Sequence, residues 1–267
     1  MTTPKRTFIV EVDATNPGEF FACCGLLELA HRLWPGAEAR FGNGRFWLSP
    51  LKPSASGLED MLGTLIAADV YTLPYPDPKI APVLVASPIS IRLDWWLRND
   101  GKANLFKTWA ANATARQMFV KWRDPLKKCM EESGCSAEHL FHLTARVQNS
   151  YGFDTQQAWN ALAVGFSLNE HARYRKLPTR PAVELLGAIG LQRFFPLMNA
   201  SKQTVCYAAW SVPLSPPVAR LAAIGLSPAA ISSKMRTRFV YRGSFKGLDT
   251  ATIIEGGQED ERRTANV

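Results

Sequence analysis

An α+β fold, built of mixed helices and short antiparallel strands, is predicted by three observations. Helical and strand-like periodicities alternate irregularly along the 267 residues, without a βαβ repeat. Hydrophobic residues make up 46% and charged residues 20%, which is enough apolar material for one elaborated fold or two packed halves. A helical pattern also occurs twice, at 18–29 and 183–194, and each copy is followed by a strand-like stretch containing Trp and Pro.

The elements are taken in chain order. Residues 7–12 alternate and are β-branched, which predicts a strand. Asn16 is a natural N-cap with Pro17 at the first helical position, and Pro35-Gly36 ends the helical pattern. Residues 17–34 therefore read as a helix, with Phe20, Phe21, Cys24, Leu27 and Leu29 mostly on one side. Asn43-Gly44 joins two short aromatic strands as a hairpin. The proline-punctuated stretch 73–88 is connection plus a short strand, and 89–96 reads as a strand. A long helix is expected over 104–132, broken or kinked near Pro125, then a short helix over 136–143. Asp154 caps a further helix over 155–172, and strands at 203–212 and 236–242 close the chain. The organisation is thus a strand-helix-hairpin unit (1–88), a mainly helical middle (89–172), a second helix-plus-strand unit with a basic face (173–246) and a mobile acidic tail (247–267).

The two helical copies align without gaps: Glu19 with Glu184, Phe20-Phe21 with Leu185-Leu186, Gly25-Leu26 with Gly190-Leu191. In the strands after them, Trp47 matches Trp210. A duplicated helix-plus-strand unit accounts for this, with the glycine letting helix and sheet backbones approach closely. The alternative is two amphipathic helices that share an apolar pattern without common origin.

Charge is unevenly distributed. The net formal charge is +8, made of −2 over 1–86, +6 over 87–128, −4 over 129–170, +11 over 171–246 and −3 over 247–267. In the fourth segment Glu184 stands alone against twelve Lys and Arg. Such polarity marks a face for a polyanion, although a basic surface can also serve solubility alone. The candidate phosphate contacts are Arg173, Arg175, Lys176 and Arg180, then Lys234, Arg236, Arg238, Arg242 and Lys246, where strand alternation would set a charged row on one face. An edge strand guarded by cations is the structural alternative. In the stretch 91–109, Trp95 and Trp96 point to opposite sides of a strand, so one is free for a second role. Beside Arg92, Arg98, Lys102, Lys107, Lys121 and Arg123 it could stack on a base, or it could fill a core or subunit interface.

Catalytic chemistry has no visible carrier. No Walker A, G-x-S-x-G or H-E-x-x-H motif occurs, and the carboxylates do not cluster as acid/base pairs. Cys129, Cys135, His139 and His142 could in principle offer zinc four ligands, but their spacing departs from the usual knuckle, so no metal or other cofactor is expected. Cys23-Cys24 sits in mid-helix and reads as packing. Five cysteines, an odd number, do not form a disulfide framework. With no signal-peptide pattern and no long apolar run, the chain reads as cytoplasmic and not membrane-bound.

Four separated stretches, TNPGEFFACCGLLELAHRLWPGAEARF, LDWW…KTWAANATARQM, FDTQQAWNALAVGFS and RPAVELLGAIGLQRFFP, together resemble the Csb-type proteins of type I-U (I-G) CRISPR systems. The likeness spans roughly residues 7–245 and includes no catalytic motif. It implies a large-subunit-like, non-enzymatic component of the Cascade effector in antiviral defence. Its partners would be the other effector subunits, crRNA and target DNA, and in such assemblies protein holds strands by charge while base pairing reads sequence. The rival expectation is a docking subunit of the same complex that touches no nucleic acid.

Overall fold

A computed structural model describes residues 7–50, 57–97, 113–134, 136–147, 151–156, 177–199, 203–242 and 245–254. The architecture is α+β, with several small antiparallel sheets packed around helices. The first unit is β1 (Phe8–Glu11), α1 (Pro17–Leu33), β2 (Glu38–Gly42) and β3 (Arg45–Ser49), with sheet order β1-β3-β2. Its local signals act as the sequence predicts. The Asn16 side chain accepts from Gly18 N, Pro17 opens the helix, and Asn43-Gly44 turns the hairpin with both residues at positive φ, 48° and 68°.

A side layer comes next: α2 (Leu58–Ala67), the meander β4 (Val70–Thr72), β5 (Val83–Val85) and β6 (Ile91–Leu93), and α3 (Ala115–Ser133). Helix α3 is opened by a capping box between Thr114 and Gln117 and runs through Pro125 without interruption. The expected helix over 136–143 is a single 3-10 turn, Leu140–His142, and the helix expected over 155–172 lies, from residue 157 on, outside the described residues.

The second unit comprises β7 (Ala145–Val147) paired with β8 (Leu177–Thr179), then α4 (Pro181–Gly190), β9 (Leu197–Met198), β10 (Thr204–Trp210), α5 (Pro216–Ala223), β11 (Ile231–Arg242), β12 (Phe245–Leu248) and β13 (Thr252–Ile254). The sheet order is β12-β11-β10-β9, with β13 also paired to β11. Residues 247–254, expected in a mobile tail, are therefore built into the sheet. Leu248 and Ala251 are buried and Lys234 to Arg236 pair with Ile254 to Thr252. Residues 255–267 lie outside the described set.

Helix α1 is buried from Pro17 through Ala30 rather than on one side, because it is covered by the first sheet and by α4 at once. The α1–α4 contact is the centre of the molecule. A Cβ on Gly25 would lie 2.8 Å from Leu186 C, and a Cβ on Gly190 would lie 2.7 Å from Gly25 N while colliding with Phe21 O. Each glycine thus admits the other helix's backbone, so the close approach is helix to helix, not helix to sheet as expected. Gly25 and Gly190, Phe21 and Leu186, Glu28 and Arg193 are each 165 positions apart. Gly25 meets Gly190 and Glu28 meets Arg193 at this crossing, while Gly25 rests on the Leu186 carbonyl and Gly190 on the Phe21 carbonyl. Exchanging the two units maps each contact onto its counterpart, as an approximate two-fold axis requires. At such an axis a residue meets its own equivalent, and like charges would repel. Here Glu28 is opposed by Arg193, whose Nη2 donates to Oε1 at 3.0 Å, so the contact is an ion pair.

The strand halves of the two copies have diverged further. Trp47 lies on the outer face of its sheet under the Arg40 guanidinium, 4.1 Å from the ring centroid. Trp210 is fully buried and its Nε1 donates to Ala39 O at 2.7 Å. A register shift at Ala209/Trp210 re-aims the second indole into the core. That core is aromatic: Phe20 meets Tyr207 at 4.4 Å between centroids, and Phe41 meets Trp210 at 4.8 Å.

Candidate nucleic-acid interface and the buried polar hub

The row predicted on β11 exists. Along the strand, Met235, Thr237 and Phe239 are buried while Arg236 and Arg238 are exposed and Lys234 is half-buried, so the three cations share the outer face. The ladder sets Thr204, Cys206 and Ala208 of β10 opposite Arg238, Arg236 and Lys234, and Thr252 of β13 on the other side of Arg236. Small neighbours leave Arg236 and Arg238 standing above the sheet, while half-buried Lys234 lies opposite Ile254 of β13. Arg238 Nε lies 3.2 Å from Asp249 Oδ2 in an exposed pair, of the kind that solvent leaves weak and a stronger anion can displace. Arg242 and Lys246 belong to β11 and β12, with side chains outside the described set. Arg173, Arg175 and Lys176 also lie outside the described residues.

Arg180 corrects the sequence reading. It is 8% exposed, and its guanidinium is directed inward onto two carboxylates. Nε donates to Asp154 Oδ2 at 2.7 Å, Nη2 to Asp154 Oδ1, and Nη1 to Glu19 Oε1 at 2.6 Å and to Phe141 O at 3.4 Å. Asn16 joins the hub through Nδ2, to Asp154 Oδ1 at 2.9 Å and Glu19 Oε1 at 3.3 Å. Glu19 also accepts from Asp13 N at 2.6 Å, and Glu184 accepts from Asp154 N at 3.1 Å, so each of the two aligned glutamates holds an aspartate backbone N–H. Burial pushes the Glu19 carboxyl up, with Arg180 opposing only in part. A pocket of about 440 Å³ opens beside this hub, lined by Glu11, Asp13, Arg45 and His142 among others. Since the Arg180 donors are engaged by carboxylates and a carbonyl, the hub works as a rivet between the starts of α1 and α4 and cannot grip a phosphate.

Trp96 is the second correction. It is fully buried against Tyr151 and Phe153, at 5.2 and 5.0 Å between centroids, and offers no platform to a base. Trp95 is half-buried on Phe195 at 5.4 Å, its backbone clamped by Gln192: Oε1 accepts from Asp94 N and Trp95 N, and Nε2 donates to Trp95 O. The two indoles do point apart, as expected, but both are committed to packing. Cys23 and Cys24 are buried, with thiols pushed well up by desolvation. Cys129 is buried and its thiol donates to Thr144 O at 3.2 Å, whereas His142 turns away to Glu11, 3.4 Å off. Among the described residues, no group of three or more His, Cys, Asp or Glu side chains could hold a metal ion, and no helix is long and apolar enough to cross a membrane. Cys135 lies outside the described residues.

Comparison of the chain with protein-family models, with curated proteins and with solved structures yields no match.

Proposed function

We propose that the chain is a non-catalytic subunit of a type I-U/I-G CRISPR effector that contacts guide RNA or target DNA by charge. The likeness of its four stretches to Csb-type proteins suggests the assembly. The observation that carries the contact is the Lys234, Arg236, Arg238 row on the outer face of β11, on a strand whose other face is core. Regularly spaced cations on a rigid strand suit sugar-phosphate, and their long side chains read no sequence. The test is binding of labelled duplex DNA and single-stranded RNA by the full chain between about 50 and 200 mM salt. Several phosphate contacts produce a steep loss of affinity with salt, and Arg236→Glu with Arg238→Glu lowers the slope of log K by about two. A flat salt response overturns the reading.

One observation favours a docking role instead. Helix α5 leaves Val218 and Leu221 exposed, and Leu226 just beyond it is 66% exposed, an apolar strip that a neighbouring subunit could cover. Loss of assembly, with nucleic-acid retention intact, in the Arg236/Arg238 variant would favour this second reading.

A further inference from the structure

A groove of about 510 Å³ runs between the edge strand β4 and helix α3, lined by Ala68, Asp69, Val70, Tyr71, Arg116 and Arg123 among others. The register of α3 places its two arginines. The capping box at Thr114 starts the helix at Ala115, and Met118, Phe119, Trp122 and Leu126 turn to the core. Arg116 and Arg123, seven residues apart, fall on one other face, separated by about 10 Å of helical rise. Arg116 Nε donates to Val70 O at 2.9 Å and Arg123 Nη1 to Ala68 O at 2.7 Å. These bonds satisfy carbonyls at the end of α2 and on the edge strand and hold both guanidiniums over the groove.

Covering carbonyls takes one N–H from each arginine, and each guanidinium has five. Among the described residues, Arg116 pairs with no carboxylate and Arg123 meets only Asp124, at 3.9 Å. Asp69, the only acid among the lining residues, accepts the Tyr71 hydroxyl at 3.3 Å instead. The first turn of α3 carries Arg116 and no acid, the reverse of what a helix N-terminus favours. Two preoriented forks with spare donors therefore face a concave, open space, opposed only by the long Arg123–Asp124 contact and by Asp69 in the lining. We infer that this groove binds phosphate oxyanions, as two phosphodiesters of one nucleic-acid strand, with Arg116 and Arg123 each taking one. Tyr71, 52% exposed at the mouth, offers a ring for a base or sugar.

This inference rests on the proposed nucleic-acid role and adds a second contact surface to it. The test uses the full chain with labelled single-stranded RNA and duplex DNA. Arg116→Gln with Arg123→Gln is expected to lower the salt slope by about 1.4 on single strands and about 1.8 on duplex, with unfolding still cooperative. An unchanged slope overturns the groove assignment, even where the β11 variant lowers it. In wild-type protein, phenylglyoxal labelling with peptide mass spectrometry should show Arg116 and Arg123 protected by bound oligonucleotide. Protection of Arg236 and Arg238 alone sinks the groove and leaves the proposed function standing, whereas absence of any salt-dependent binding sinks both. If inorganic phosphate raises the melting temperature through these arginines while oligonucleotides give no protection, the nucleic-acid source is overturned in favour of free phosphate.

Discussion

Gly25 and Gly190 face each other where α1 crosses α4, each lying in the hollow left by the other's missing side chain. The relation is reciprocal: Gly25 rests on the Leu186 carbonyl and Gly190 on the Phe21 carbonyl. No side-chain rotation relieves a methyl group placed there, because the obstacle is backbone on both sides.

Gly25→Ala and Gly190→Ala are each expected to destabilise by about 3 kcal/mol or more, lowering Tm by roughly 6–12 °C for a chain of this size. Gly63→Ala is the control. It lies within α2 with nothing inside 4 Å of the added Cβ, and a gain of up to about 1 kcal/mol is expected there. Thermal unfolding monitored by circular dichroism separates these outcomes, and equal behaviour of the three variants would refute the crossing.

Arg180→Met strands Glu19 and Asp154 without their cation in the interior. Breaking one partner of a buried pair costs about 3–5 kcal/mol, so the urea midpoint should fall sharply, with Arg180→Lys intermediate because it keeps the charge and loses the fork. A surface role for Arg180 predicts a midpoint within experimental scatter of wild type.

Glu19 and Glu28, on the same helix, should give opposite pH dependences. Burial raises the Glu28 carboxyl, but hydrogen bonds and charge from Arg193 and Arg32 outweigh it and hold the folded pKa below 4.5. Its contribution is present above about pH 4.5 and is lost as pH falls through the folded value. Glu19 is raised above 4.5 by burial, so its share of stability is present at low pH and declines as pH rises from about 4.5 through the folded pKa. Glu28→Gln should flatten the acid limb of stability against pH, and Glu19→Gln the limb above it. Urea midpoints measured from about pH 3 to 8 read both effects.

Thiol accessibility offers an independent check of packing. Cys23, Cys24 and Cys129 are buried with raised pKa values, while Cys206 is half-exposed on the β10 face beside Arg236. Alkylation with peptide mapping should modify Cys206 in native protein and the other three only in denaturant. Native modification of Cys23 would contradict the α1–α4 core.

Much of this was legible because the signals were local. Asn16-Pro17, Asn43-Gly44 and the alternation of β11 act within a few residues, and the predicted elements are found there. Helices α2 and α5 were not among the predicted elements, and their existence emerges only in the fold. The basic segment was legible as a charge count but not as a surface. Arg180 and Arg236 look alike in sequence, yet one finds Glu19 161 positions away and the other finds solvent. Arg116 and Arg123 are not legible as a pair in sequence, because the carbonyls that hold them belong to α2's end and β4, about 50 residues earlier.

The sequence by itself determined the α+β class, the caps and turns, the outward row on β11 and the repeated helix with its glycine. Those depend on backbone preferences and side-chain period, which short segments carry within themselves. Tertiary structure alone decided which cations stay at the surface, which tryptophans fill the core, and that the repeated glycines meet each other. The reason is desolvation. Whether a charged or aromatic side chain is buried depends on partners that chain closure brings from far away, and no local pattern encodes that distance.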